Sequence, residues 1–146
     1  WFLMMISTKG RYALRVLINM AERQTTGYVP LKEIAAQQDI SEKYLESIVK
    51  DLVKGHVLEG LRGKGGGYRL TKTPDQYTAG SIIRLMEGTL APVACLEGNS
   101  TPCARAAECR TLPLWKGLND LVNDYLDQYT IEDLMKKDYD GFDYVI

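Results

Sequence analysis

The sequence predicts a mainly α-helical chain with one small β-hairpin. Several stretches repeat apolar residues at helical spacing, and the glycine run Gly65-Gly66-Gly67 separates two short strand-like segments. No run approaches the eighteen or so apolar residues of a membrane span. The 146 residues amount to one domain, or a small domain with an appendage, and the 45% hydrophobic, 25% charged composition is that of a globular chain. That composition argues against disorder, a collagen repeat or a disulfide scaffold. The net charge of -1 hides an asymmetry: residues 1–72 hold 12 Lys+Arg against 7 Asp+Glu, whereas residues 73–146 hold 6 against 12. A basic amino half joined to an acidic carboxyl half is expected where one end meets nucleic acid.

The opening apolar residues, Trp1 to Ile6, are too few for a signal peptide and lack a basic region before them, so a cytoplasmic protein with its natural start at Met4 or Met5 is expected. From Thr8 to Arg23, Tyr12, Ala13, Val16, Leu17 and Met20 follow helical spacing behind a Ser7 or Thr8 cap. Pro30 is placed to open a short second helix with Leu31, Ile34 and Ala35 on one face. Ser41 caps a third, whose Leu45, Ile48, Val49, Leu52 and Val53 give the pattern i, i+3, i+4, i+7, i+8. Two helices joined by a tight turn, the second strongly amphipathic, make a helix-turn-helix. Any small helical bundle contains such a pair. What distinguishes this chain is the segment that follows.

Residues 57–62 have strand character, 63–67 are a glycine turn, and Tyr68-Arg69-Leu70 reads as the returning strand. A helix-turn-helix followed at once by a basic hairpin is a winged helix. The rival reading of the glycines, a phosphate cradle, fails because neither G-x-G-x-x-G nor G-x-x-x-x-G-K-S/T is present. Beyond the wing, Thr78 caps a helix carrying Ile82, Ile83, Leu85 and Met86 on its apolar face and stopping at Gly88. Residues 91–110 lose periodicity and hold every cysteine. From Pro113 to Tyr129 a helix of roughly 24 Å carries Leu114, Leu118, Leu121, Val122, Tyr125, Leu126 and Tyr129 as one stripe. Exposed on so small a domain, that stripe calls for a partner. Thr130 opens a last short helix through Lys137 with a capping box, and 139–146 form an acidic, aromatic tail. The expected organisation is a winged helix-turn-helix domain at 4–88, a cysteine loop at 89–112 and a dimerisation helix with a short terminal helix at 113–138.

On the third helix the apolar face leaves Lys43, Tyr44, Glu46, Ser47 and Lys50 outward or at the flanks, where they reach DNA. Lys43 is suited to donate to guanine, Glu46 to accept from cytosine N4, and Ser47 is permissive. Arg62 is the natural residue to enter a minor groove, Lys64 meets phosphate, and Lys9 and Arg11 are further phosphate candidates. Cys95, Cys103 and Cys109, with seven and five residues between them, form an odd-numbered thiol cluster that suggests a soft metal or a redox site. Zinc sites normally show a closer cysteine pair, so the wider spacing favours an iron-sulfur cluster. A cysteine-nucleophile enzyme is not expected, because the chain's one histidine, His56, ends the third helix and no base accompanies the thiols.

Five motifs in order carry a resemblance: residues 6–14, 31–35, 40–46, Arg62-Gly63 with Gly66-Gly67-Tyr68, and Thr78-Ala79-Gly80 with Glu87-Gly88. Together, over about Ile6 to Lys137, they resemble the Rrf-type family of bacterial winged-helix repressors, the group of IscR, NsrR and CymR. The resemblance implies a homodimer with crossed long helices on a pseudo-palindromic double-stranded DNA operator, with base contacts at Lys43, Glu46 and Ser47 and a minor-groove role for Arg62. It also implies an iron-sulfur cluster on the three cysteines, 2Fe-2S ahead of 4Fe-4S. The fourth ligand is unassigned, since Leu112 stands where cluster-binding members have histidine and Tyr12 where others recruit an acid. Residues 78–93 and 130–138 look closer to the cysteine-metabolism members, which act with a cysteine synthase corepressor. On that alternative the cysteines bind zinc or sense oxidation as thiols.

Overall fold

Ser7 starts the first helix, α1 (Thr8–Glu22): its backbone is extended and its hydroxyl accepts from the Gly10 N–H at 3.1 Å, satisfying one of the orphan donors of the first turn. The computed structural model describes residues 6–23, 27–96 and 107–135. α2 (Leu31–Gln38) begins after Pro30 and ends where Asp39 takes a left-handed conformation at φ 53, tolerated because a short polar side chain lowers its cost. α3 (Glu42–Lys54) is capped by Ser41, whose hydroxyl accepts from Tyr44 N–H at 3.1 Å, and it buries Leu45, Ile48, Val49 and Leu52. His56, at φ 61, turns the chain out of α3 and is exposed.

The wing is β1 (Leu58–Leu61) and β2 (Gly67–Leu70), antiparallel, with Leu58 opposite Leu70 and Leu61 opposite Gly67. It carries a third partner that the sequence did not suggest. Val29, just ahead of α2, bridges to Tyr68, each N–H donating to the other's carbonyl at 2.8 and 2.9 Å. Gly67 makes that approach possible. At φ 147 its position disfavours any side chain, and a Cβ there would lie 2.2 Å from the Val29 carbonyl oxygen.

A single 3-10 turn at Pro74–Gln76, not expected from sequence, leads into α4 (Ala79–Glu87), capped by Thr78 and stopped by Gly88 at φ 86. Ile82 and Ile83 are buried as expected, but Leu85 is 37% exposed and lies over Gly55 at the end of α3 rather than in the core. Another 3-10 turn occupies Ala94–Leu96, inside the segment read as irregular. α5 (Leu112–Asp127) starts one residue before Pro113 and stops short of Tyr129. α6 (Ile131–Leu134) has the expected capping box between Thr130 and Asp133 but ends at Leu134, because Met135 is extended; the tail at 139–146 lies outside the described residues.

One core joins these elements. Leu17 of α1, Ile34 of α2, Leu45, Ile48 and Leu52 of α3, Leu58 of β1, Ile82 of α4 and Ile131 of α6 are all essentially inaccessible. Each stabilises the fold by about 1.5–3 kcal/mol on area grounds. α6 docks through a short two-way bridge, with Ala79 N–H donating to Tyr129 O at 2.7 Å and Ile131 N–H to Tyr77 O at 2.9 Å. α5 differs: it buries none of its own residues, and Leu114, Leu121 and Tyr125 are 62%, 67% and 54% exposed.

Candidate nucleic-acid interface and cysteine segment

The N-cap at Ser41 and the core face of α3 together fix which residues the helix turns outward. Lys43, Glu46, Ser47 and Lys50 are exposed. Ser47 Oγ also donates to the Tyr44 carbonyl at 2.7 Å, so it keeps its lone pairs for a partner. Tyr44 differs from expectation: it is half-buried, packed edge-on against Tyr12 of α1 with ring centroids 5.9 Å apart. Arg15 lies over the other ring, 4.6 Å from the Tyr12 centroid, and also donates to the side chain and carbonyl of Gln38 at 3.2 and 3.0 Å. This stack ties α1 to both ends of the helix-turn-helix turn.

Between α3, the start of α2 and the wing lies a groove of about 700 Å³. It is lined by Glu46 and Lys50 from α3 and Arg62 from the wing, so three of the residues expected at the DNA meet in one concavity. Lys32 lines it as well. Sequence reasoning passed over Lys32 as part of a motif, although a lysine one residue inside a helix that follows proline is a readable cue. Arg62 and Lys64 stand exposed on the turn of the wing, where Gly63 and Gly65 take φ 95 and φ 78 and the Gly66 N–H donates to Gly63 O at 3.0 Å. Lys64 does not line the groove; it is at the tip beyond it.

The two amino-terminal candidates behave differently. Lys9 Nζ is 2.5 Å from Asp51 Oδ2 of α3, so its charge is spent inside the domain. Arg11 is exposed, and among the described residues its guanidinium donates to its neighbour Thr8 Oγ1 at 3.0 Å, through one of its five N–H groups. At the wing's base Arg69 pairs with Glu59 across the strands and lies 4.5 Å from the Tyr28 ring centroid. The hydrogen bond to the Glu59 carboxylate holds the Arg69 proton more tightly than usual. This arginine braces the hairpin.

Cys95 is in the 3-10 turn after α4 and Cys109 lies just ahead of α5; both are free thiols and half-buried. Cys103 lies outside the described residues. Cys109 Sγ is 3.4 Å from Thr111 Oγ1, and that hydrogen bond, helped by the Thr111 backbone, lowers the thiol below its ordinary value. A thiol that ionises easily suits a soft metal or redox chemistry, so the donor set fits an iron-sulfur group in kind. Among the described residues no three metal-ligating side chains converge.

A capped recognition helix, a glycine-tipped wing beside it and a long uncovered helix define a winged-helix DNA-binding regulator. The chain belongs to the Rrf2 family, described as iron-dependent transcriptional regulators, which residues 6–137 match. It is similar to the HTH-type transcriptional regulator CymR of Bacillus subtilis, 42% identical over 131 residues that cover 90% of this chain and 89% of that protein. It is also similar to IscR of Pectobacterium atrosepticum, 33% identical over 132 residues covering 90% and 79%. The solved structure of CymR, the global cysteine regulator of B. subtilis, superposes with a TM-score of 0.70 at 41% identity, covering 91% of this chain and 96% of that one. Relatives so named make this protein a transcriptional regulator and not an enzyme. Among the described residues no helix is long and apolar enough to cross a membrane.

Proposed function

We propose that this regulator binds a pseudo-palindromic operator as a homodimer and that a group held by Cys95, Cys103 and Cys109, an iron-sulfur cluster, sets its affinity. The observation that carries the DNA reading is the groove that Glu46, Lys50 and Arg62 share, with Lys64 beyond it on the wing. In this reading Lys43, Glu46 and Ser47 read base edges in the major groove. Arg62 enters the adjacent minor groove, while Lys50, Lys64 and Arg11 hold phosphate. Tyr44 acts through Tyr12 as a brace for the helix, and Lys9 stays with Asp51. Dimerisation through α5 is supported by its exposed stripe, since nothing among the described residues of one protomer covers Leu114, Leu121 or Tyr125.

The cluster reading is supported by the chemistry of the donors: two free, half-buried thiols flank the segment, and Thr111 favours the thiolate of Cys109. A bound cluster supplies one-electron redox chemistry and sensitivity to oxidants. The chain's part is to offer thiolates and to connect them directly to the first turn of α5. A second reading is favoured by the likeness to the B. subtilis cysteine regulator. There the protein reports cysteine status with a cysteine synthase corepressor, and the thiols bind zinc or are oxidised.

One experiment separates the two. Anaerobically purified protein is analysed for iron, sulfide, zinc and visible absorption, and a Cys95→Ser, Cys103→Ser, Cys109→Ser variant is compared on operator duplexes selected from a random pool. Iron with sulfide, and changed operator affinity in the variant, are expected. Protein that takes up neither on reconstitution, with a variant that binds as the parent does, refutes the cluster and leaves the DNA reading intact.

A further inference from the structure

The joint between α5 and the winged domain carries a polar cluster built around a glycine, beside the half-buried Leu118, Val122 and Leu126 of α5. Asp127, the last residue of α5, receives Arg84 Nη2 at 2.8 Å and Thr78 Oγ1 at 3.2 Å on one carboxylate oxygen. Arg84 Nη1 reaches a second α5 residue, Asn123 Oδ1, at 3.0 Å. Asn123 is itself steadied by the Asn119 carbonyl at 2.8 Å. Thr78 caps α4 by accepting from Ser81 N–H at 3.0 Å, so the Asp127 carboxylate sits over the positive end of α4. Gly80, in the first turn of α4, leaves room for it: a Cβ there would lie 2.1 Å from Asp127 Oδ1 and 3.0 Å from Arg84 Nη1. A glycine inside a helix costs stability relative to alanine, so its presence needs a reason, and the fit of Asp127 over α4 supplies one.

These contacts add a directional tie to the packing of α5. The helix buries no residue of its own, and its packing within the protomer is onto α4. An apolar interface without interlocking side chains lets a helix slide or swivel, whereas a two-pronged guanidinium gripping Asn123 and Asp127, one turn apart, fixes both tilt and rotation. We propose that Arg84, Asp127 and Gly80 form a clamp that sets the angle at which α5 leaves the winged domain, and thereby selects operators by the distance between their half-sites. The inference rests on the dimeric operator-binding reading above. In a dimer joined through α5, a swivel at its far end is carried to each recognition helix, and two-fold partners double it.

The clamp is half exposed, with Arg84 and Asp127 side chains at 36% and 40%, so it holds by geometry more than by strength and is weakened by salt. That makes it testable without unfolding the protein. Duplexes carrying the selected half-site twice, with the centre-to-centre distance changed one base pair at a time, are titrated by fluorescence anisotropy with the parent, Arg84→Met, Gly80→Ala and Arg84→Lys. Gly80→Ala is informative because it displaces Asp127 while raising helix propensity, so α4 stays formed. The parent is expected to prefer one spacing over its neighbours by about tenfold, within the usual range of coupling between sites. Arg84→Met and Gly80→Ala should flatten that ratio to about threefold or less, with sedimentation as a dimer and affinity for a single half-site unchanged. Arg84→Lys, which keeps the charge but loses the second prong, should recover part of it. Raising salt should flatten the parent's preference in the same direction. A parent with no spacing preference, or variants that keep the parent's, overturns the clamp. A parent that binds no selected duplex refutes the operator reading itself, and the clamp's role with it.

Discussion

Leu121 offers the most direct test of dimerisation. It is 67% exposed in the protomer and lies in the middle of α5, with Leu114 and Tyr125 on the same stripe. Fully burying a leucine is worth about 1.5–3 kcal/mol, so covering the exposed two thirds gives about 1–2 kcal/mol per protomer and about 2–4 kcal/mol for a two-fold pair. Alanine keeps the Cβ and loses most of the rest. Leu121→Ala should therefore raise the dimer dissociation constant by about ten- to a hundred-fold, one decade for every 1.4 kcal/mol. Leu121→Asp should do more, because it buries an unpaired carboxylate on each side. Sedimentation equilibrium across nanomolar to micromolar concentration measures the constant, and far-UV circular dichroism checks the fold. The fold should survive in both variants, since α5 adds no buried residue to the protomer core. A parent that sediments as a monomer at micromolar concentration, or a Leu121→Ala protein with an unchanged constant, refutes the reasoning.

Three further outcomes are expected. Arg62→Ala should weaken binding to the selected operator by about 1–3 kcal/mol, while Lys64→Ala should weaken all duplexes alike and reduce the salt slope by about one, as read from anisotropy titrations at several salt concentrations. Gly67→Ala, forced against the Val29 carbonyl, should destabilise by about 1–3 kcal/mol in urea unfolding and lose operator affinity while keeping its helical signal, because the strain falls on the wing. Ser41→Ala, which removes the cap of the recognition helix, should cost about 1 kcal/mol in thermal unfolding, and Ser41→Asp should restore it.

Local signals told the most. α3 could be read almost residue by residue, because its cap at Ser41 and its apolar period involve neighbours no more than a few positions apart. The same holds for the capping box at Thr130 and the stop at Gly88. Failures cluster where the deciding partner is distant in sequence. Lys9 looked free for phosphate until Asp51 met it, and Tyr44 sits on the margin of the apolar face, where only the arrival of Tyr12 decides that it is half-buried. Leu85 fits the period of α4, yet the helix it faces ends at Gly55 and leaves it partly uncovered. The 3-10 turns at Pro74 and Ala94 are too short to show any period. Of the candidate site, the exposed face of α3 and the wing tip were legible. That they share a groove with Lys32 was not, since this depends on how the hairpin is hung.

The way the hairpin is hung also limits what can be transplanted. Because Val29 pairs with Tyr68, the hairpin is sewn to the residue that immediately precedes α2. The strand that carries the wing home and the peptide that launches the helix-turn-helix are one hydrogen-bonded unit. Little ordering entropy is left to lose when DNA arrives, which favours discrimination among sequences over adaptability to them. A hybrid regulator that borrows only α3 would pair a new helix with a wing set at the old angle; the smallest portable cassette runs from Val29 to Leu70.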